Sequence, residues 1–354
     1  MDSPLKVDVL NVGTGLAGTN IAHQLHKRGY SFAIFSDPQT QSASSVAAGL
    51  INPVTGRKMN KTKWADVLFP YLHEWYPSLE KELKSSFFHP IEILKIFSSY
   101  KQQNDVLGKM NDPEVRDYLS DSNASDLKTK QVHSEYGSIR IHHGAWLDTN
   151  AFLDNSLSYF RENFCPFIID KFHYNSLDFS GSKLVYQNLE ADYIIFCEGW
   201  HVIQNPFFEK IKMNPAAGEI LDINIEKFKT NKLLNKKGWL LPIGGNKYRF
   251  GATYRWKNLD SKATEKGKLE LIDKLYNLLD IDYSIDQIQA GVRPASNDIK
   301  PILGPSLKSN KVFIFNGLGS KGSSLAPYFS ELLIKHIFDD EPIPAEVDVK
   351  RYYT

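Results

Sequence analysis

Hydrophobic and polar positions along the chain follow two periods. Residues 7–12 form a short apolar run broken by Asp8 and Asn11, and residues 31–35 form a second; both have the length of buried strands. Between them Ile21, Ala22 and Leu25 recur at helical spacing, with Lys27 and Arg28 suited to the last turn and Gly29 to the C-cap. Trp64, Val67, Leu68, Tyr71, Leu72 and Trp75 predict a helix with one buried face, kinked or restarted at Pro70. The middle of the chain reads differently. Residues 91–97, 219–225, 238–241 and 248–254 are short β-type runs separated by turn residues, and Ile285, Ile288, Ala290 and Val292 alternate. Near the end, a β-type run over 311–315 precedes a glycine-rich turn. Leu325, Tyr328, Phe329, Leu332, Leu333 and His336 then mark a helix. Strand–helix units at both ends and antiparallel-type strands between them predict an α/β chain with a second, sheet-built part.

Composition narrows the function. Lys+Arg 42 against Asp+Glu 41 leaves a net charge of +1, so no global field draws the chain to nucleic acid or an anionic membrane. Cys165 and Cys197 cannot build a disulfide framework and lack metal-ligand spacing, so they read as reduced thiols of a cytoplasmic protein and no metal is expected. No apolar run is long enough to span a bilayer, and no signal peptide is expected. His23 and His26 share a helix face without a carboxylate at matching spacing and read as a solvated pair. Lys227, Lys229, Lys232, Lys236 and Lys237 read as a solvated face, and otherwise as the best candidate for touching RNA or an acidic protein.

Four motifs carry candidate chemistry. Gly13, Gly15 and Gly18 stand in G-x-G-x-x-G spacing between the first strand and helix. That spacing serves a tight turn, backbone approach to a pyrophosphate and close helix–strand packing, and otherwise packing alone. A ribose-binding carboxylate belongs at the end of the second strand. Ser36 holds that slot, and Asp37 follows one residue later, on the opposite side of an extended strand. Either the strand end bends and Asp37 serves, or Ser36 binds the ribose. Residues 42–49, SASSVAAG, form a small-residue loop whose Ser44 and Ser45 hydroxyls suit phosphate oxygens. Gly317 to Ser324 form a second glycine-rich turn ahead of a helix, with Lys321 beside the positive helix end or simply solvated. Arg293, held extended by Pro294 and given room by Gly291, presents a fork suited to a carboxylate or to a structural salt bridge.

In order, VGTGLAG, SSVAAGLINPVTGR, DYIIFCEGW, PAAGEIL, RFGATY, GVRPASNDIKPILGP and NGLGSKGSSLAPYFSELL resemble the D-amino-acid oxidase, glycine oxidase and sarcosine oxidase family of FAD-dependent enzymes over nearly the whole chain. The strongest likeness is to the flavin domain of a bifunctional enzyme that matures a tRNA wobble uridine by oxidising an N-substituted glycine. Its GSRG-type turn reads Gly319-Ser320-Lys321-Gly322 here, and no counterpart is expected for the methyltransferase domain that precedes it.

The resemblance implies a Rossmann-like FAD-binding domain (residues 1–76, 144–200 and 291–354). It also implies a discontinuous α+β substrate domain on a mostly antiparallel sheet (77–143 and 201–290). Gly13, Gly15 and Gly18 match the pyrophosphate turn. Ser44, Ser45, Ala48, Gly49, Leu50 and Ile51 match the loop along phosphates and flavin. Phe172 matches an adenine-side contact, Gly199 the glycine after the next strand, and Gly317, Gly319, Ser320, Lys321, Gly322 and Ser323 the turn at the flavin pyrimidine. Arg293 matches the arginine that grips the substrate carboxylate, Trp239 stands where the family often has a tyrosine, and Lys321 is placed to stabilise reduced flavin. No cysteine lies in the C-terminal glycine turn or near Arg293, so the FAD is expected to be non-covalent.

The implied activity is oxidation of a primary or secondary α-amino acid: glycine-like, N-substituted glycine or D-amino acid. Hydride passes to flavin N5 and the imine is hydrolysed. The expected partner is a small carboxylate-bearing amine. Two alternatives stand beside it: a flavoenzyme acting on an aminomethyl group of tRNA, and a non-catalytic flavin-binding protein.

Overall fold

The computed structural model describes residues 4–56, 58–122, 131–163 and 166–353; Cys165 lies outside them. Two sheets organise the chain. The strand Leu5–Val12 pairs in parallel with Phe32–Ser36 on one side and with Leu189–Phe196 on the other. Phe167–Ile169 and Val312–Asn316 extend this parallel sheet outward, and Ile302–Pro305 adds an antiparallel strand beside Val312–Asn316. Strand alternation sorts its side chains onto two cores. Phe32 and Ile34 pack with Ile21, Leu72 and Phe329, from the helices Leu16–Lys27, Ala65–Leu83 and Gly322–Asp339. Ala33 and Phe35 pack with Phe172, Tyr186 and Phe196. Both faces are covered, as a parallel sheet requires.

The second sheet has eight strands in the order Ser284–Arg293, Ala216–Asn224, Lys247–Gly251, Gly238–Gly244, Leu233–Lys236, Ile93–Ile96, Ser138–Ile141 and Leu119–Asp121. It is antiparallel except where Leu233–Lys236 runs parallel to Ile93–Ile96. Its outer core holds Leu221, Ile223, Phe250, Leu271 and Leu275, the last two from the helix Glu265–Tyr276. This is the mixed α/β architecture that the motifs imply, with the sheet of the second part mostly antiparallel.

Several local expectations are corrected. The helix Ala65–Leu83 does not start at Pro70 but runs through both Pro70 and Pro77, with Leu68, Leu72, Tyr76 and Leu79 buried. His23 is not solvated. It is fully buried under the helix Thr149–Asn163, with its ring 2.8 Å from Ser156 Oγ and stacked on Phe152. Burial, then the charge of Lys27, lowers its pKa to about 3. His26 does have an acidic partner, Glu82 at 3.3 Å, supplied by another helix. The lysine run is only partly solvated: Lys236 is buried and donates to the His133 carbonyl, and Lys232 pairs with Glu92 at 2.6 Å.

Candidate active site

The carboxyl ends of Leu5–Val12, Leu189–Phe196 and Val312–Asn316 open on one cleft of about 1640 Å³ between the two sheets. Ligands bind at this edge of open α/β sheets. Pockets for drug-sized ligands run to roughly 1,000 Å³; this one has room for a dinucleotide with a second molecule.

The first turn is built by close approach. Gly13 has φ +114°, and a Cβ there would run into the Cys197 carbonyl. Gly15 is the N-cap of Leu16–Lys27, and its missing Cβ leaves a cradle bounded by the Ser42 and Ser44 hydroxyls. A Cβ on Gly18 would strike the Gly13 carbonyl, so this glycine serves helix–strand packing. The second turn ends on the helix Gly322–Asp339, whose first residue packs against Leu16. Two helix N-termini therefore meet at the cleft. Both present backbone N–H groups and a partial positive charge to an anion.

The predicted cofactor residues divide into two sets. Gly13, Gly15, Asp37, Ser44, Ala48, Gly49, Leu50, Phe172, Gly199, Gly319, Ser320, Lys321, Gly322 and Ser323 border the cleft. Gly18, Ser36, Ser45, Ile51 and Gly317 stand behind its wall. The Ser36 hydroxyl bonds Thr14 Oγ1 at 3.0 Å, and Ser45 donates to the Ser42 carbonyl at 2.8 Å. Ile51 is a core residue. Asp37 faces the cleft while accepting from the Gln39 N–H and the Thr40 hydroxyl, which bends the chain at the strand end. Ser44 Oγ accepts from the Leu16 N–H at 3.0 Å and so shares the first helix terminus with any phosphate.

An FAD fits these residues on a further observation. The indole Nε1 of Trp200, a residue of the cleft wall, is buried and has no hydrogen-bond partner among the described residues. Trp200 escaped the sequence reading because indole donors carry no motif. Next to it, Glu198 accepts from Tyr174 Oη at 2.6 Å and from Asn205 Nδ2 at 2.7 Å. Burial pushes its carboxyl up to about 7 against those hydrogen bonds.

Arg293 ends the strand Ser284–Arg293 and borders the cleft. Gly291 is not what makes room for it. A Cβ on Gly291 would meet Ala43 and Val46, where the short helix Ala43–Val46 packs on the sheet. The room comes from Gly218 on the neighbouring strand, two residues along from Ala216, which pairs with Arg293; its absent side chain leaves the space that the guanidinium fills. Arg293 Nη1 donates to the Thr253 carbonyl at 3.2 Å, and its Cζ lies 4.3 Å from the Tyr254 ring centroid. No carboxylate pairs with it among the described residues. Burial lowers its pKa, opposed by Tyr254 and by the Glu219 carboxylate. Glu219, only 2% exposed, accepts from the Thr253 and Thr264 hydroxyls and was not singled out from sequence. Trp239 lies on the same wall, its ring across the bare backbone of Gly251. Lys321, at the N-cap of the last helix, borders the cleft, and burial lowers its pKa.

Known proteins resemble the chain in sequence and in fold. The chain is 25% identical over 370 residues to the tRNA 5-methylaminomethyl-2-thiouridine biosynthesis bifunctional protein MnmC of Legionella pneumophila, covering 92% of this chain and 53% of that protein. The Hahella chejuensis protein of the same name is 24% identical, covering 95% of this chain and 57% of its own. The chain thus spans about half the length of these relatives. Among solved structures, glycine oxidase from Geobacillus kaustophilus superposes with a TM-score of 0.82 at 18% identity, covering 98% of this chain and 99% of that one. Iminodiacetate oxidase from Chelativorans superposes with a TM-score of 0.77 at 20% identity, covering 97% and 98%. Residues 8–336, from the first strand through the last helix, match the DAO model of FAD dependent oxidoreductases, and the chain belongs to that family.

Proposed function

We propose that this flavoenzyme oxidises a primary or secondary α-amino acid, with an N-substituted glycine as the favoured class. One observation carries the reading: Arg293 is a largely buried guanidinium that borders the cleft and, among the described residues, has no acid in hydrogen-bonding contact, the Glu219 carboxylate acting on it only through space. A buried cation with no carboxylate in hydrogen-bonding contact favours an anion supplied by a ligand, and the fork of an arginine suits a carboxylate.

In this reading residues 1–76, 144–200 and 291–354 hold the cofactor, and 77–143 and 201–290 shape the substrate site. The two-sheet layout supports this division. Gly13, Gly15 and the Leu16 helix terminus would hold the pyrophosphate, Trp200 and Asp37 the nucleoside side, and the turn from Gly319 to Ser323 the ring. FAD, bound non-covalently, supplies the two-electron acceptor. The protein orients and shields. Arg293 fixes the substrate carboxylate and so turns the α-carbon toward the parallel-sheet side of the cleft. Trp239 excludes water over that carbon. Lys321 and the Gly322 helix terminus add positive charge on the cofactor side. The substrate amine enters neutral, so no strong protein base is needed, and water hydrolyses the imine product. No helix of the described residues is long and apolar enough to cross a membrane; we place the enzyme in the cytoplasm.

A second reading, oxidation of an aminomethyl group on tRNA, draws support from the names of the curated relatives. Salt-dependent tRNA binding would favour it. The primary test compares each amino acid with its decarboxylated amine. Arg293→Ala is expected to lower kcat/KM for the amino acid at least 30-fold and to leave the amine unchanged. A change within twofold for every carboxylate substrate would remove the assigned role.

A further inference from the structure

Lys95 lies on the strand Ile93–Ile96 and borders the cleft far from Arg293. Its ammonium has three donors. One goes to Asn235 Oδ1 at 2.7 Å, and neither a carboxylate nor a second acceptor takes the others among the described residues. Two other cations at this sheet are matched with acids: Lys232 with Glu92 at 2.6 Å and Arg249 with Asp222 at 3.0 Å. Burial alone lowers the Lys95 pKa, to about 8, the signature of a charge that has lost water without gaining a counterion. Nothing in the carboxylate grip at Arg293 uses it.

The sheet register gives its place relative to the reaction. Lys95, Asn235, Trp239, Gly251 and Ile220 form one cross-strand row. The strand of Ile220 pairs in turn with the strand that ends at Arg293. Five strand spacings therefore separate the Lys95 and Arg293 strands, roughly 24 Å between backbones along the sheet. Between them the floor is Trp239 lying over Gly251. A glycine cannot touch both ends. The exposed Lys101 and Lys237 border the Lys95 end as well, against the single acid Asp105.

We propose that Lys95, steadied by Asn235, is a second anion-recognition site that takes a carboxylate or phosphate at the far end of an elongated amine substrate. The substrate class is then an amino acid whose α-carboxylate meets Arg293, whose apolar or flat middle crosses Trp239, and whose other end is acidic. The proposal rests on the Arg293 reading and narrows it.

The test compares sarcosine, N-carboxymethyl-aminohexanoate and the phosphate ester of N-carboxymethyl-aminohexanol on wild type, Lys95→Met and Lys95→Arg. Wild type is expected to prefer one or both dianions at least tenfold in kcat/KM over sarcosine, and the better arm identifies the anion. Lys95→Met is expected to abolish that preference through KM, with kcat and all sarcosine parameters unchanged, and Lys95→Arg to restore part of it. A structural ion pair predicts a lower Tm for Lys95→Met; the site predicts an equal or higher Tm. Equal loss on all three substrates, or no wild-type preference for either dianion, overturns the proposal. If no amino acid is oxidised at all, calorimetric titration of the same dianions separates the two ideas. Binding weakened at least tenfold in Lys95→Met but retained in Arg293→Ala upholds the Lys95 site, and equal binding by all forms overturns it.

Discussion

The seat of Arg293 gives a sharp test because it is made by an absence. A Cβ on Gly218 would fall on both terminal nitrogens and the Cζ of the guanidinium. Those atoms end a flexible side chain, so Gly218→Ala leaves the backbone in place and forces the arginine to swing out of its seat. The contacts at stake are the hydrogen bond to the Thr253 carbonyl and the face of Tyr254. Displacement removes at least one charge-assisted hydrogen bond from the arginine to a substrate carboxylate, about 1.5–3 kcal/mol. That corresponds to a loss in kcat/KM of roughly 10- to 150-fold. Steady-state kinetics on an amino acid, with FAD content and Tm as folding controls, reads the effect. Gly218→Ala in an Arg293→Ala background is expected to add almost nothing, because both changes remove one interaction. Wild-type kinetics in Gly218→Ala, or full additivity in the double variant, would refute the placement of the guanidinium.

Other outcomes follow from the same wall. Trp200→Phe removes the buried indole donor and is expected to weaken FAD binding roughly 3- to 10-fold, about the worth of one neutral hydrogen bond, read by fluorescence titration of the apoprotein. Lys321→Met is expected to lower the two-electron midpoint potential of the bound flavin by roughly 20–40 mV, the worth of about 1–2 kcal/mol of charge at a helix end. Glu198 has a folded-state pKa raised by burial, to about 7 from 4.5. The folded form therefore holds a proton that the unfolded chain has released. Apoprotein stability is expected to fall by up to about 3 kcal/mol as pH rises from about 4.5 to 7, then to level off. Glu198→Gln is expected to flatten that slope in denaturant melts; an unchanged slope contradicts the assignment.

What the sequence discloses is what is local. Glycine spacing at Gly13, Gly15 and Gly18, the short apolar run over residues 31–35 and the apolar period after Gly322 each act within one strand–turn–helix unit, and each appears in the fold as read. The errors come from contacts between distant segments. Gly291 was assigned the space beside Arg293 because it is near in sequence, yet Gly218 on the neighbouring strand supplies it. His23 looked solvated because the helix carrying Ser156, Phe152 and Phe160 could not be placed over it from sequence. Lys95 sits in an unremarkable β-type run, and only the sheet register reveals a buried ammonium without an acid. The Ser36 or Asp37 ambiguity is also geometric. Ser36 turns to Thr14 behind the wall while the bend after it brings Asp37 to the cleft.

The central claim is that this cleft joins an electron-accepting flavin to an amine whose carboxylate Arg293 holds. The visible spectrum of the FAD-loaded protein, followed anaerobically during addition of an N-substituted glycine, reads both halves at once. The account predicts oxidised-flavin bands that bleach on addition, and bleach far more slowly in Arg293→Ala. A protein that takes up no FAD, or one whose flavin bands persist unchanged through glycine, N-substituted glycines and D-amino acids alike, would contradict it.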